Sequence, residues 1–361
     1  MRKILFAAYS LDVGGIEKSL ITLLNQLIKR NYDITLVLEK KEGIFLEQLD
    51  SNIKVIEYRP SEDKIILIRK IKNLIKRIKF IKKYKNRFIF SACFATYSCV
   101  ASFTSRVASK NSYLWGHADY LSLFQGNEEE MKQFFEKRKY NQFKKIIFVS
   151  KEGEKSFIKV FPNMEKKTIV CNNLLEDKKI KELAQKAIPE KKSKCTTFIN
   201  VGRHDEKQKK LSRIIEASNR LKKEGYNFKI LLVGDGPETD FYKEKVKENE
   251  LTDEIKFLGR KENPYPYFEI ADCVLLSSDY EGYPVVFLES FILKKPIITT
   301  KVSDYKEVEG KYGLVAEKNS ESLYQQMKKF INEGFEIKEE FDSKRYNEQV
   351  LTKIEKLIEG E

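Results

Sequence analysis

The stretch Glu281-Gly282-Tyr283-Pro284-Val285-Val286-Phe287-Leu288-Glu289 decides how this chain is read. Two carboxylates stand eight positions apart, with a glycine, a proline and an apolar run between them. The apolar segment Cys273 to Ser277 precedes it and reads as a strand, and Phe287 to Leu293 reads as a helix. Gly282 permits a sharp turn and Pro284 suits the first position of a helix. The stretch therefore predicts a strand–loop–helix corner, with Glu281 at the loop mouth and Glu289 about two turns into the helix. A helix N-terminus attracts anions through free N–H groups and the macrodipole. Gly282, Tyr283, Pro284, Val285 and Val286 are expected to frame such a phosphate site. A carboxylate beside it repels phosphate but accepts hydrogen bonds from hydroxyls. Sugar hydroxyls flanking a diphosphate fit that pairing.

Around this corner, strands and helices alternate. Thr196 to Gly202, Phe228 to Val233, Ile255 to Leu258, Val274 to Leu276, Ile297 to Thr300 and Gly313 to Val315 read as strands. Leu211 to Lys223, Thr239 to Asn249 and Tyr267 to Ala271 read as helices between them. Residues 172–194 are polar and lysine-rich with Pro189, and read as a linker. Before them, Lys3 to Ala8, Ile34 to Leu38, Ile53 to Tyr58, Phe88 to Phe94, Ser112 to Trp115 and Ile146 to Val149 form a first series of strands. The expected architecture is α/β, with two Rossmann-like, doubly wound domains facing a cleft at the carboxyl ends of their sheets. The expected boundaries are 1–175 and 190–341, with a last helix at about 342–361.

The chain resembles the family-four retaining glycosyltransferases, the glycosyl transferases group 1, which have the GT-B fold. The resemblance rests on the corner, on Gly14-Gly15-Ile16-Glu17 and on Ile147 to Ser150. Val201-Gly202-Arg203 followed by Lys209, Leu231 to Glu238, Phe257 to Gly259, Ala271-Asp272 and Lys295 to Ile298 complete it, in order through most of the chain. It implies that the first domain binds an acceptor, that the second binds a nucleotide sugar, and that the last helix packs back on the first domain. It also implies roles. Arg203 and Lys209 would hold the donor diphosphate, where fixed cations stabilise the charge of a leaving group. Glu281 would bind the donor sugar, and Glu289 the ribose. Gly259 and Arg260 would frame the base, and Gly14 and Gly15 would let backbone N–H groups approach phosphate. His117 is a candidate beside the acceptor, with a structural histidine as the alternative. Asp119 lies in the same loop, and His204 reads as a loop side chain at the cleft. Where the family usually has a glycine after the lysine, this chain has Lys210, so a looser loop is expected, with Lys207 or Lys210 sharing the role.

The 361 residues suffice for two cores, and 41% hydrophobic content fits a globular protein. Five scattered cysteines form no C-x-x-C pair, so a reduced, cytoplasmic compartment is expected, with no disulfide framework and no zinc site. No Asp-x-Asp is present, so no metal is expected on the diphosphate and no cofactor beyond the donor. The N-terminal apolar run is too short for a signal peptide, and Phe88 to Ser105 carries too many Ser and Thr for a membrane span.

The net charge of +14 concentrates between Lys64 and Arg87, where no acidic residue occurs. Ile68, Ile71, Leu74, Ile75, Ile78 and Ile81 recur there at helical spacing. An amphipathic basic helix is expected, either docked on an anionic membrane surface at the inner face of the cell membrane or packed on the core. The resemblance implies a retaining transferase that moves a hexose from a nucleotide sugar to a hydroxyl. The acceptor would be a lipid-linked saccharide in bacterial capsule, exopolysaccharide or cell-wall glycan synthesis. The charge also raises a nucleic-acid-binding protein, but no helix-turn-helix, RNA-binding aromatic motif or finger cysteines accompany it, so no nucleic-acid partner is expected. A nicotinamide oxidoreductase would need G-x-G-x-x-G after the first strand, which is absent. An inactive partner subunit of another transferase is the remaining alternative.

Overall fold

The structure is a computed structural model that describes residues 2–12 and 14–360. Met1 and Glu361, at the limits of the expected domains, lie outside the described residues. The chain divides into two compact units: Met1–Leu175 with Arg345–Glu361, and Glu176–Lys344.

Unit 1 begins with β1 (Arg2–Ala8), α1 (Gly15–Ile28), β2 (Tyr32–Leu38), β3 (Lys54–Glu57), α2 (Ile66–Tyr84) and β4 (Phe90–Cys93). It continues with α3 (Cys99–Ala108), β5 (Ser112–Gly116), α4 (Tyr120–Leu123), α5 (Glu128–Lys137), β6 (Lys145–Phe148), α6 (Lys151–Val160) and β7 (Thr168–Val170). All strands pair in parallel, in the order β3-β2-β1-β4-β5-β6-β7. Ile4 to Ala7 are fully buried, as a parallel strand covered on both faces requires. The order reverses between β1 and β4, which opens a ligand position at their carboxyl ends. Phe90 and Cys93 belong to a buried strand and Cys99 to Ala108 to a helix, so the uncharged stretch 88–105 is a strand followed by a helix. No described helix is long and apolar enough to cross a membrane.

Unit 2 comprises α7 (Asp177–Ala184), β8 (Thr196–Val201), α8 (Leu211–Lys223), β9 (Phe228–Val233), α9 (Thr239–Glu248) and β10 (Ile255–Gly259). There follow α10 (Tyr265–Ile270), β11 (Cys273–Leu276), α11 (Val285–Ile292), β12 (Ile297–Thr300), β13 (Gly313–Ala316) and α12 (Ser320–Glu333). The parallel order is β10-β9-β8-β11-β12-β13. Here the order reverses between β8 and β11, which sets the loops after those two strands side by side. The expected linker contains α7, whose Ile180 and Ala184 are buried within unit 2. Its polar composition hid two inward positions a turn apart.

The last helix, α13 (Ser343–Glu359), belongs to unit 1 from Arg345 onward. Arg30 forks onto Glu348 and Glu355, each at 2.7 Å, and the Tyr113 hydroxyl donates to the Leu357 carbonyl at 3.0 Å.

Helix α2 departs from core packing. Phe80 is its one buried residue, held among Tyr58, Tyr84 and Phe103. Leu67, Ile68, Ile71, Leu74, Ile75 and Ile78 are all exposed, Leu67 at 67% and Leu74 at 58%. The basic helix thus forms as expected, but its apolar stripe faces outward.

Candidate active site

The loops after β8, β9 and β10 lie backbone against backbone. Gly202 N–H donates to the Val233 carbonyl, His204 N–H to Asp235 and Gly234 N–H to Gly259, each at 3.0 Å. Gly234 has φ +146°, and a Cβ there would collide with the Gly202 carbonyl. A Cβ on Gly236 would collide with the His204 backbone. The Gly-Asp-Gly turn is therefore demanded by close approach as well as by turning. His204 is not a side chain at an open cleft. It is 1% exposed, with Nδ1 2.8 Å from Thr239 Oγ1, and pins these loops together. Burial lowers its pKa.

Arg203 follows β8 with its side chain 64% exposed, and Nη2 lies 3.1 Å from Asp205 Oδ2. Lys209 Nζ lies 2.5 Å from Glu281 Oε1. The Glu281 carboxylate, 8% exposed, also accepts from Ser278 Oγ at 2.7 Å and from Gln208 Nε2 at 3.4 Å. The loop carrying Lys209 is clamped to the loop after β11. Asp279 N–H donates to the Gln208 carbonyl at 2.8 Å, and Ser277 Oγ to the Lys209 carbonyl at 2.7 Å. The expected loosening at Lys210 does not occur. Lys210 itself takes the left-handed conformation (φ 50°, ψ 50°), at a cost of about 1 kcal/mol relative to glycine. Its Nζ reaches Glu206 at 3.6 Å, and Lys207 is exposed.

At the corner, Pro284 precedes the helix as its N-cap, and α11 starts at Val285. Glu289 is therefore the fifth helical residue, just over one turn in rather than two. Pro284 offers no side-chain cap to α11, and the Phe287 N–H donates to the Pro284 carbonyl at 3.0 Å, so Val285 and Val286 carry the N–H groups that a ligand could meet. Ser303 Oγ donates to the Gly282 carbonyl, and the Tyr283 hydroxyl to Glu307 at 2.6 Å, fixing the loop. Glu289, 7% exposed, accepts from the Tyr265 hydroxyl at 2.8 Å. Gly259 has φ +68°, which favours glycine, and Arg260 beside it is exposed.

Unit 2 thus brings Lys209 and Glu281 into contact, with Arg203 on the same loop as Lys209. Gly14, Gly15 and His117 lie in unit 1, at the carboxyl ends of β1 and β5. Gly14 is extended (φ −172°), so backbone freedom does not require glycine there. A side chain at Gly14 would collide with the Glu17 carboxylate, whereas Gly15 faces open space. The His117 ring packs 4.4 Å from Phe94, its Nε2 is buried without a partner, and burial drives its pKa down to about 3. Asp119 caps α4, accepting from Ser122 N–H at 3.2 Å and Ser122 Oγ at 2.5 Å.

Three side chains here were not foreseen: Tyr265, Ser278 and Arg213. Arg213 is 8% exposed. It donates to the carbonyls of Ser277 and Lys318 and to Asp279 Oδ1 at 2.8 Å, holding the loop that leads to Glu281. A charge inside the apolar face Leu211, Ile214, Ile215 was the available signal. Among the described residues, no group of three or more His, Cys, Asp and Glu could hold a metal ion.

Residues 181–348 match the family described as glycosyl transferases group 1. An uncharacterised glycosyltransferase of Methanocaldococcus jannaschii is 24% identical over 80% of this chain, which spans 65% of that relative's length. A Campylobacter jejuni relative is 24% identical over 92% of this chain and 91% of its own. It is N-acetylgalactosamine-N,N'-diacetylbacillosaminyl-diphospho-undecaprenol 4-alpha-N-acetylgalactosaminyltransferase. Among solved structures, HepE of Anabaena in complex with UDP and glucose superposes with a TM-score of 0.76 at 19% identity, covering 98% of this chain and 100% of that one. TarM of S. aureus, in a complex containing UDP, superposes with a TM-score of 0.75 at 13% identity over 99% and 100%. The chain has the GT-B fold, and over residues 181–348 it matches the glycosyl transferases group 1 family.

Proposed function

We propose that the chain is a retaining glycosyltransferase. It moves a hexose from a nucleoside diphosphate sugar to a hydroxyl of a lipid-linked saccharide, in bacterial capsule, exopolysaccharide or cell-wall glycan synthesis. The observation that carries this reading is the 2.5 Å Lys209–Glu281 pair, in the same unit as the uncapped N-terminus of α11 and the buried Glu289. Without donor, cation and carboxylate neutralise each other. With donor bound, Lys209 turns to the diphosphate, and Glu281 keeps Ser278 and accepts sugar hydroxyls. Arg203, exposed and paired with Asp205 in its own loop, closes on the same phosphates. These fixed cations take up the leaving-group charge, so no metal is required. Glu289, oriented by Tyr265, receives the ribose hydroxyls, and Gly259 and Arg260 frame the base. Retention follows from same-face attack, with the leaving phosphate taking the acceptor proton.

The test is a thermal-shift series of nucleoside diphosphates and their sugars, with and without EDTA. Ligand binding to the folded state alone raises the melting temperature by mass action, about 2.7 kcal/mol at a hundredfold excess over Kd. One base is expected to give a shift that survives EDTA and disappears in Glu289→Ala. No shift from any nucleotide would refute the reading.

The diphospho-undecaprenol named for the Campylobacter relative supports a lipid-linked acceptor. The exposed stripe of α2 supports docking at the inner face of the cell membrane. Each basic residue near an anionic surface contributes about 1 kcal/mol. A nucleic-acid backbone would match the charge but leave Leu67, Ile71 and Leu74 in water. Replacing those three with serine is expected to release the protein from phosphatidylglycerol vesicles in a flotation assay without altering its nucleotide thermal shift. Unchanged flotation would reject the docking surface.

A further inference from the structure

A second constellation stands in unit 1, at the carboxyl ends of β1 and β4. Tyr97 lies in the loop between β4 and α3 and is 42% exposed, while its neighbours Thr96 and Ser98 are buried. The backbone of that loop is held at several points. Arg138 Nη2 donates to the Tyr97 carbonyl at 2.8 Å, and Nε to the Thr96 carbonyl at 3.1 Å. Thr96 Oγ1 donates to the Trp115 carbonyl. Ser98 caps α3, accepting from Ala101 N–H at 2.9 Å, and donates to Glu39 at 2.6 Å. A large ring on so fixed a backbone, outside the core, is a preorganised contact surface. Its hydroxyl donates to Glu17 Oε1 at 3.0 Å, and the Tyr9 ring flanks it at 5.9 Å.

We propose that Tyr97 and Glu17 form a saccharide subsite, in which one hexose of the acceptor lies over the Tyr97 ring and donates a hydroxyl to Glu17. The proposal rests on the transferase reading and names what unit 1 would recognise. A hexose presents an apolar C–H face and a polar rim. A tyrosine ring covers the first, and a carboxylate accepts from the second. Glu17 is half-buried, and burial raises its pKa, so its remaining lone pairs are poorly served by water. Glu17 and Asp12 both act on the Tyr97 hydroxyl, while Arg138 is held on the Thr96 and Tyr97 carbonyls and Lys40 is drawn to Glu42 at 3.8 Å and over the Tyr9 ring. The subsite therefore selects neutral or N-acetylated sugars and rejects uronic acids and phosphorylated sugars.

The test uses methyl glycosides of glucose, galactose, N-acetylglucosamine, N-acetylgalactosamine and glucuronic acid as probes. Binding is read by saturation-transfer NMR on the full chain with the nucleoside diphosphate that gives the largest thermal shift. At least one neutral glycoside is expected to bind, and the glucuronide is not. Tyr97→Ala should weaken that binding about tenfold, the scale of one lost aromatic contact, and Tyr97→Phe much less. The nucleotide thermal shift should stay the same in both variants, which also reports that they fold. A wild-type protein that binds none of the probes, binds the glucuronide equally, or binds as well after Tyr97→Ala overturns the subsite. Absence of any nucleotide shift in the wild type would instead count against the transferase reading.

Discussion

Replacing Lys209 with alanine is expected to lower turnover by about two to three orders of magnitude, the scale of removing one preorganised charge donor from a developing oxyanion. The side chain has two duties. Without donor it neutralises Glu281, a carboxylate that is 8% exposed. In the proposed reaction it faces the departing diphosphate. Alanine removes both, so a smaller loss of stability accompanies the loss of turnover. Ser278 and Gln208 still serve Glu281 and limit that loss. Lys209→Arg retains the charge in a planar fork that does not fit a 2.5 Å point contact, and should recover part of the rate. Steady-state turnover with the donor identified by thermal shift measures this. A Lys209→Ala enzyme within threefold of wild type would remove Lys209 from the chemistry.

The second large effect is acid instability of unit 1. Burial disfavours the His117 imidazolium and pushes its pKa down to about 3 from the ordinary 6.5. Between these values the unfolded chain binds a proton that the folded chain does not. The stability is therefore intact above pH 6.5 and falls as pH drops toward 3, by about 1.4 kcal/mol per unit. His204 adds a slope of the same sign in unit 2, since its pKa is also lowered by burial. Calorimetric melting from pH 7.5 to 4.5 should show a falling melting temperature, and His117→Gln should flatten part of the fall. An identical slope in that variant would mean that His117 protonates freely in the folded state.

Much of the fold was legible because parallel strands buried on both faces read as unbroken apolar runs. Ile4 to Ala8 and Val274 to Leu276 are of this kind. The helix Leu211–Lys223 matched residue for residue, since its polar and apolar positions keep helical spacing. α5 was not read. Its signals were Asn127 capping Glu130, three glutamates in the first turn, and only two buried side chains, Met131 and Phe135. α7 reads as linker for the same reason: eight residues with two inward positions leave too short a pattern.

The candidate site divides in the same way. The corner spacing singles out Glu281 and Glu289, because a strand–loop–helix turn constrains which side chains reach its mouth, while Arg203 and Lys209 are singled out by the family resemblance. Their partners could not. Tyr265, Ser278 and Arg213 reach the site through hydrogen bonds between segments distant in sequence, for which linear spacing carries no signal. Lys210 shows the converse. Sequence chemistry predicted a relaxed loop, but the clamps from Ser277 and Asp279 impose the left-handed turn on a lysine. By itself the sequence determined two doubly wound α/β units and the charged groups at one corner, since local periodicity and turn chemistry settle both. Tertiary structure alone decided that Lys209 pairs with Glu281, that His204 is a buried pin, and that the α2 stripe faces outward. Burial and pairing are set by which surfaces meet, and many segments of this chain share the same apolar and charged composition.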